Sequence, residues 1–208
     1  MKRLITGIGT DVGKSYATGW LARRLMGEGR SVITQKLVQT GNVGRSEDIE
    51  VHRRIMQTGF LPEDREGLTA PLIYSYPASP HLAARIDGRP LDLSLADKST
   101  EELEKRYDEV LIEGAGGLMV PLTPDYLTID YAYDRQLPII LVTNGRLGSI
   151  SDTLLTLDAL RSRAMKLDGI IYNPFFDQDN TIADETQKYL RSWIETHWPG
   201  SWFEILRY

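Results

Sequence analysis

Lys14 and Ser15 follow Gly13 in the run GIGTDVGKS, residues 7–15, directly after the apolar stretch RLIT. Glycines, a lysine and a hydroxyl in this order are the parts of a phosphate cradle. Glycine lets successive backbone N–H groups turn inward on an anion, and the N-terminus of a following helix adds partial positive charge. The lysine then reaches the terminal phosphates of a nucleotide, and the hydroxyl meets a magnesium ion. The usual spacing puts four residues between the first glycine and the glycine–lysine pair. Here five residues separate Gly7 from Gly13. A cradle depends on inward-facing amides rather than on a fixed count, so the chemistry survives the extra residue. A glycine-rich turn carrying a chance GKS is the alternative, and the position between an apolar run and a helical pattern favours the cradle.

Other residues could serve the same anion. Lys36 lies in SVITQKLVQT, an otherwise apolar and β-branched run, where an ammonium is costly to bury without an anion. It is either an edge lysine turned to water or a second cation over the phosphates, and the neighbouring loop favours the second. Glu113 ends the run EVLI and precedes GAGG. A carboxylate at a buried strand end near a phosphate loop is where a magnesium ligand is found, with a structural salt bridge as the alternative. Asp48, in RSEDIE, reads first as an acid meeting the dipole of a helix first turn. Asn173 closes IIYN before Pro174; it reads either as an ordinary strand-ending turn or as an amide whose donor and acceptor together suit a purine edge. His81, after Pro80 in SPHLAA, reads as the opening turn of a helix before it reads as a base. His52 and His197 fall on polar helical patterns and receive no role, and the aromatics of HWPGSWFEILRY read as core and closing strand.

These side chains need elements to hold them. Strands are expected at RLIT, SVITQKLVQT, DEVLIEGAGG, PIILVTN, LDGIIYNP and WFEIL. Helices are expected at KSYATGWLARRLMGEG, SEDIEVHRRIMQTG, SPHLAA, LADKSTEELEKR, YLTIDYAYDRQ, SISDTLLTLDALRSR and TIADETQKYLRSWIETHW. Strands separated by helices predict a doubly wound α/β fold, with a mostly parallel sheet and helices on both faces. No repeat, low-complexity tract or linker divides the chain, so residues 1–208 are expected to form a single domain. Ligands in such sheets bind beyond the carboxyl ends of the strands, which is where the loop, Lys36, Glu113 and Asn173 fall.

Composition narrows the class. The chain is 41% hydrophobic and 25% charged, with a net charge of −5 and no Cys. The negative charge argues against a nucleic-acid partner, which needs a basic field to release counterions. Without Cys there are no disulfides, thiolate metal sites or cysteine nucleophiles. The apolar run after Lys2 and Arg3 is too short for a signal peptide, and no segment approaches the ~18 apolar residues of a membrane helix. A cytoplasmic protein without a membrane partner is expected.

Taken in order, GTDVGKS, KLVQTG, the Asp48 region, SPHLAA, EGAGGLMVPL, PIILVTNGRLGSI and GIIYN resemble the dethiobiotin synthetases. These are ATP-dependent enzymes that close the ureido ring in biotin synthesis, and they carry the longer loop spacing. The resemblance covers most of the chain and weakens after about Thr181. It implies a homodimeric, P-loop NTPase-type α/β fold. It also implies a reaction in which CO₂ adds to one amine of 7,8-diaminopelargonic acid, ATP phosphorylates the carbamate, and the second amine closes the ring. On matching positions the resemblance puts Thr10, Lys14 and Lys36 around the carbamate and γ-phosphate. It has the amides of Asp11, Val12, Gly13, Lys14, Ser15 and Tyr16 wrap the phosphates, with Gly114, Ala115 and Gly116 lining the nucleotide site. It assigns Mg²⁺ to Ser15, Asp48 and Glu113, the diamine to Thr40 and adenine to Asn173. The substrate carboxylate would lie near the helix after Gly148, supplied across the dimer interface, where Ser151 stands in place of an Asn. Asp11 replaces the commoner Glu and Ser15 the commoner Thr, each keeping its oxygen. The alternative is a partitioning or positioning switch ATPase of the related loop class. Those loops carry an early lysine, and Gly9 takes its place here. An amidotransferase-type cobyrinate synthetase would need a cysteine the chain lacks.

Overall fold

Neighbouring residues on the central strands enter two different cores, because successive side chains of a strand point to opposite faces. Leu4, Ile112, Leu141 and Ile170 pack into one core, and Ile5, Leu111, Ile140 and Ile171 into the other. Both faces of the sheet must therefore be covered. The computed structural model, which describes residues 1–208, shows how.

In chain order the elements are β1 (Lys2–Gly7), α1 (Lys14–Gly27), β2 (Val32–Lys36), β3 (Gln39–Thr40), α2 (Glu47–Met56), α3 (Pro62–Arg65), β4 (Ile73–Tyr74), α4 (Pro80–Ile86) and α5 (Leu93–Arg106). They continue with β5 (Glu109–Gly117), β6 (Pro121–Thr123), β7 (Tyr126–Leu127), α6 (Thr128–Asp134), β8 (Ile139–Asn144), α7 (Ser149–Ser162), β9 (Leu167–Asn173), α8 (Asn180–His197) and β10 (Trp202–Ile205). Six strands form one sheet in the order β10-β9-β8-β1-β5-β2, and every neighbouring pair in it is parallel. Helix α1 covers one face through Ala17, Leu21, Ala22 and Leu25. Helices α5 to α8 cover the other through residues such as Leu103, Ile129, Leu157 and Leu190. Each such Leu or Ile contributes about 1.5–3 kcal/mol of burial. No helix is long and apolar enough to cross a membrane.

Strand β1 lies inside the sheet with β5 on one side and β8 on the other. The chain leaves β1 toward β2 on one side and leaves its neighbour β8 toward β9 on the other, so the carboxyl end of β1 lies at a topological switch point. Crevices at such points are where open α/β sheets take ligands.

Three elements differ from the sequence expectation. The run SVITQKLVQT is not one strand: β2 ends at Lys36, and Gln39–Thr40 pairs instead with Ile73–Tyr74 in a separate two-stranded ribbon. The Lys36 N–H bonds to the Thr69 carbonyl, which draws the chain off the sheet edge. In YLTIDYAYDRQ the first two residues form β7, paired with β6. The helix starts only at Thr128, with the Asp130 carboxylate accepting the Leu127 N–H. Helix α5 begins at Leu93, earlier than expected, because Asp92 caps it through the Ser94 N–H.

Candidate active site

The loop between β1 and α1 is built to face an anion. Helix α1 has no side-chain cap and no acid in its first turn, so its free N–H groups and positive dipole end stay uncompensated. Gly13 has φ +91°, and a Cβ there would lie 2.2 Å from Asn173 Nδ2. That nitrogen donates to the Val12 carbonyl at 2.9 Å, tying the end of β9 to the loop.

Two lysines and two carboxylates converge beneath the loop. Lys36 Nζ lies 2.6 Å from Asp48 Oδ2 and 2.8 Å from Glu113 Oε1, and it also donates to the Gly114 carbonyl at 3.2 Å. Ser15 Oγ is 2.7 Å from Asp48 Oδ1 and 3.1 Å from Glu113 Oε1. Lys14 Nζ donates to the Gly9 carbonyl at 3.1 Å. Burial would raise the Glu113 pKa, but Lys36 and His52 hold it well below the ordinary carboxylate range. Burial alone would lower the Lys36 pKa; Glu113 and Asp48 outweigh it and raise it. Burial lowers the pKa of Lys14, against the pull of Glu113 and with the repulsion of Lys36.

The donors suit magnesium. One hydroxyl and two carboxylates are hard oxygen ligands, and Mg²⁺ commonly takes one or two carboxylates while phosphate and water complete its shell. No group of three or more His, Cys, Asp or Glu side chains could hold a metal by itself, so the site is of this partial kind.

A cavity of about 940 Å³ joins these groups. It brings together Thr10, Asp11, Gly13, Lys14, Ser15, Tyr16, Lys36, Thr40, Asp48, Glu113, Ala115, Gly116 and Asn173, and residues 77–80 line it too. Val12 is buried under the loop, 4% exposed, and its carbonyl meets Asn173. Gly114 is buried and reaches the site through its carbonyl to Lys36. Ser151 is not in this cavity; it lines a separate one of about 880 Å³ along α7 with Arg146, Leu147 and Leu155. His81 also lies elsewhere, in a small cavity with Arg85 and Arg89.

Two site residues escaped the sequence reading. His52 is not on a polar surface: it is fully buried, with Nε2 at 2.7 Å from Glu113 Oε2. The signal was its spacing, since Asp48 and His52 stand four apart and share one face of α2. Tyr208 belongs to the cavity rather than to the core. Its ring centroid lies 4.5 Å from that of Tyr16 and 5.9 Å from that of Phe175. Its hydroxyl donates to Asn173 Oδ1, which also accepts the Phe175 N–H at 3.0 Å. Phe203 and its neighbours do form the closing strand as expected.

A family model described as AAA domain matches residues 2–193. The ATP-dependent dethiobiotin synthetase BioD 2 of Pasteurella multocida (strain Pm70) is 46% identical over 202 residues, covering 97% of this chain and 95% of its own. The chain belongs to the dethiobiotin synthetase family. A second member, from Chlorobaculum tepidum, is 44% identical over 193 residues, covering 93% of this chain and 81% of its own. Among solved structures, a putative plasmid partition protein from Borrelia burgdorferi B31 bound to AMPPNP superposes with TM-score 0.56 at 16% identity, covering 100% of this chain and 86% of that one. The septum site-determining protein MinD of Pyrococcus horikoshii OT3, complexed with Mg-ADP, gives TM-score 0.51 at 19% identity, over 89% of this chain and 77% of that one. At such identities these two share the P-loop NTPase-like fold with the family, and no more follows from them.

Proposed function

We propose that residues 1–208, as one domain, close the ureido ring of dethiobiotin from 7,8-diaminopelargonic acid, CO₂ and ATP, releasing ADP and phosphate. The observation that supports this reading is that one cavity is lined by Lys14, Ser15, Lys36, Asp48 and Glu113 and also by Thr40 and residues 77–80. It has room for a triphosphate and a second small molecule side by side.

The chemistry is one of crowded anions. A carbamate oxygen must attack the γ-phosphorus while ADP leaves, so two negative groups are brought into contact. Phosphoryl transfer is governed mostly by positioning and charge stabilisation. Inward amides of Asp11 to Tyr16 hold the phosphates, and Lys14 and Lys36 offset the charge between nucleotide and carbamate. Magnesium, held by Ser15, Asp48 and Glu113, supplies further positive charge to the phosphates when bound. Nearby ammonium groups also disfavour protonation of the reacting amine, which must be neutral to attack CO₂. The second amine then attacks the carbamoyl carbon, and phosphate leaves. Thr10, exposed on the loop, and Thr40 both line the cavity; Thr10 is assigned to the transferred group and Thr40 to the diamine.

Asn173 reads adenine in this scheme, after exchanging the Tyr208 hydroxyl for the base. The α7 cavity is assigned to a second copy of the chain, since Leu147 and Leu155 beside it are 95% and 67% exposed. Ser151 then serves the substrate carboxylate of the partner. All three substrates are small metabolites, as in a cytoplasmic reaction.

The test is phosphate release from MgATP and bicarbonate with and without the diamine, with product mass. Release that needs the diamine, and a product heavier by one carbonyl bridge, supports the ligase. Hydrolysis indifferent to the diamine would sink it and favour a switch ATPase.

A further inference from the structure

Glu113 divides its two oxygens between two sets of partners. Oε1 faces the cavity and meets Lys36 and Ser15. Oε2 turns the other way, to His52 Nε2 at 2.7 Å. Behind the imidazole lies a buried chain that fixes its direction. His52 Nδ1 is 3.0 Å from Thr34 Oγ1, and Thr34 Oγ1 accepts from Arg53 at 2.8 Å. Arginine can only donate, so the hydroxyl's own proton stays available for Nδ1 or for Met56 Sδ at 4.0 Å. The ionised Glu113 carboxylate can only accept, so Nε2 carries the proton and donates it to Oε2. Arg53 is itself forked onto Asp64, with bonds of 2.8 and 2.7 Å. Asp64 in turn accepts from the Leu61 N–H and the Thr69 hydroxyl. None of His52, Thr34, Arg53 or Asp64 lines the cavity.

We propose that His52 is a positioning residue for Glu113: by engaging Oε2 it fixes the rotation of the carboxylate so that Oε1 alone is presented to magnesium and the phosphates. An unheld carboxylate at this position could turn both oxygens onto Lys36. Hydrogen bonds of this outer kind orient metal ligands, and their loss typically weakens metal binding 10- to 100-fold. The inference rests on the nucleotide–magnesium reading of the cavity and adds a residue to it.

The experiment follows Mn²⁺ binding to the whole chain in the presence of ADP, through the EPR signal of free Mn²⁺, with metal-free ADP binding measured alongside. His52→Leu removes both ring contacts at similar bulk, and His52→Gln keeps an amide N–H toward Glu113. His52→Leu is expected to weaken Mn²⁺ binding by about 10- to 100-fold, with His52→Gln within about threefold of wild type and metal-free ADP affinity nearly constant. Unchanged Mn²⁺ affinity in His52→Leu would overturn the proposal. So would equal losses in both variants accompanied by loss of metal-free ADP binding, which would reduce His52 to packing. If His52→Leu does not fold, Thr34→Val removes the hydroxyl that orients the ring, along with the bond that hydroxyl accepts from Arg53. A loss of about 3- to 10-fold there, at the low end of outer-contact effects, supports the proposal, and no loss overturns it. Wild-type protein that takes up no Mn²⁺ with ADP would remove the nucleotide-site reading itself. Normal wild-type uptake with an insensitive His52→Leu would remove the role of His52 alone.

Discussion

Lys36 Nζ lies 2.8 Å from Glu113 Oε1, with both side chains almost fully buried, and the same ammonium lies 2.6 Å from Asp48. Without a nucleotide, this lysine is the cation that balances the two carboxylates assigned to magnesium. Removing one partner of a buried pair typically costs 3–5 kcal/mol, because the other charge is left uncompensated. Lys36→Met should therefore unfold at lower temperature in metal-free buffer. A divalent cation can take over part of that balance, so Mg²⁺ should raise the Tm of Lys36→Met by more than that of wild type. Thermal unfolding with and without Mg²⁺ checks this, and equal shifts in the two proteins would refute it.

The Arg53–Asp64 fork should be visible in the pH dependence of stability. Burial would raise the Asp64 pKa, but Arg53, the Leu61 N–H and the Thr69 hydroxyl outweigh it and hold it below the ordinary value. A depressed carboxylate stabilises the fold above its unfolded pKa of about 3.9, and that contribution is lost as pH falls through the folded value. Asp64→Asn should be less stable than wild type at pH 7 by about 3–5 kcal/mol. Urea unfolding should show the gap closing only below about pH 4. A gap independent of pH down to 3 would mean that the charge is not what matters.

Gly13→Ala combines two penalties. The backbone there has φ +91°, and the new Cβ would meet Asn173 Nδ2 at 2.2 Å. A side chain forced into that region costs on the order of 1–3 kcal/mol, and the Asn173–Val12 bond must give way as well. We expect a lower Tm together with weaker ATP binding, by calorimetry. Gly9→Ala, where a Cβ meets nothing within 4 Å, is the matched control. A Gly13→Ala protein that binds ATP normally would show that the loop does not need the stitch to β9.

Tyr208→Phe tests the base site. The phenol hydroxyl donates to Asn173 Oδ1, the acceptor that an adenine amino group would use. Since a net hydrogen bond is worth roughly 0.5–1.5 kcal/mol, its removal should lower the KM for ATP by about two- to twelvefold. A raised KM would show instead that the hydroxyl contacts the nucleotide.

Much of the site was legible because its residues break the local pattern of their segments. Lys36 interrupts a β-branched run, Glu113 ends an apolar strand, and Gly13-Lys14-Ser15 opens a helix without a cap. The six-stranded parallel sheet followed from the alternation of elements, which is a strong periodic signal. What stayed hidden depended on contacts distant in sequence. Nothing local marks Leu37 as the place where the chain leaves the sheet; that turn needs the Thr69 carbonyl and the Ile73–Tyr74 strand. His52 looked solvated because Arg53 and Arg54 follow it, yet Arg53 is also buried, neutralised by Asp64 of α3, eleven residues on. Tyr208 sits in an aromatic-rich tail, where composition cannot separate a core ring from one that faces a cavity.

The bond from Asn173 to Val12 joins residues 161 positions apart. A ribosome that has released the first 160 residues has already delivered Lys14, Lys36, Asp48 and Glu113, yet the loop still lacks its fastening. Synthesis from the N-terminus thus separates the arrival of the ligands from the arrival of their geometry. The nascent chain holds the lysines and carboxylates of the cavity well before the bond that ties the loop to β9 can form.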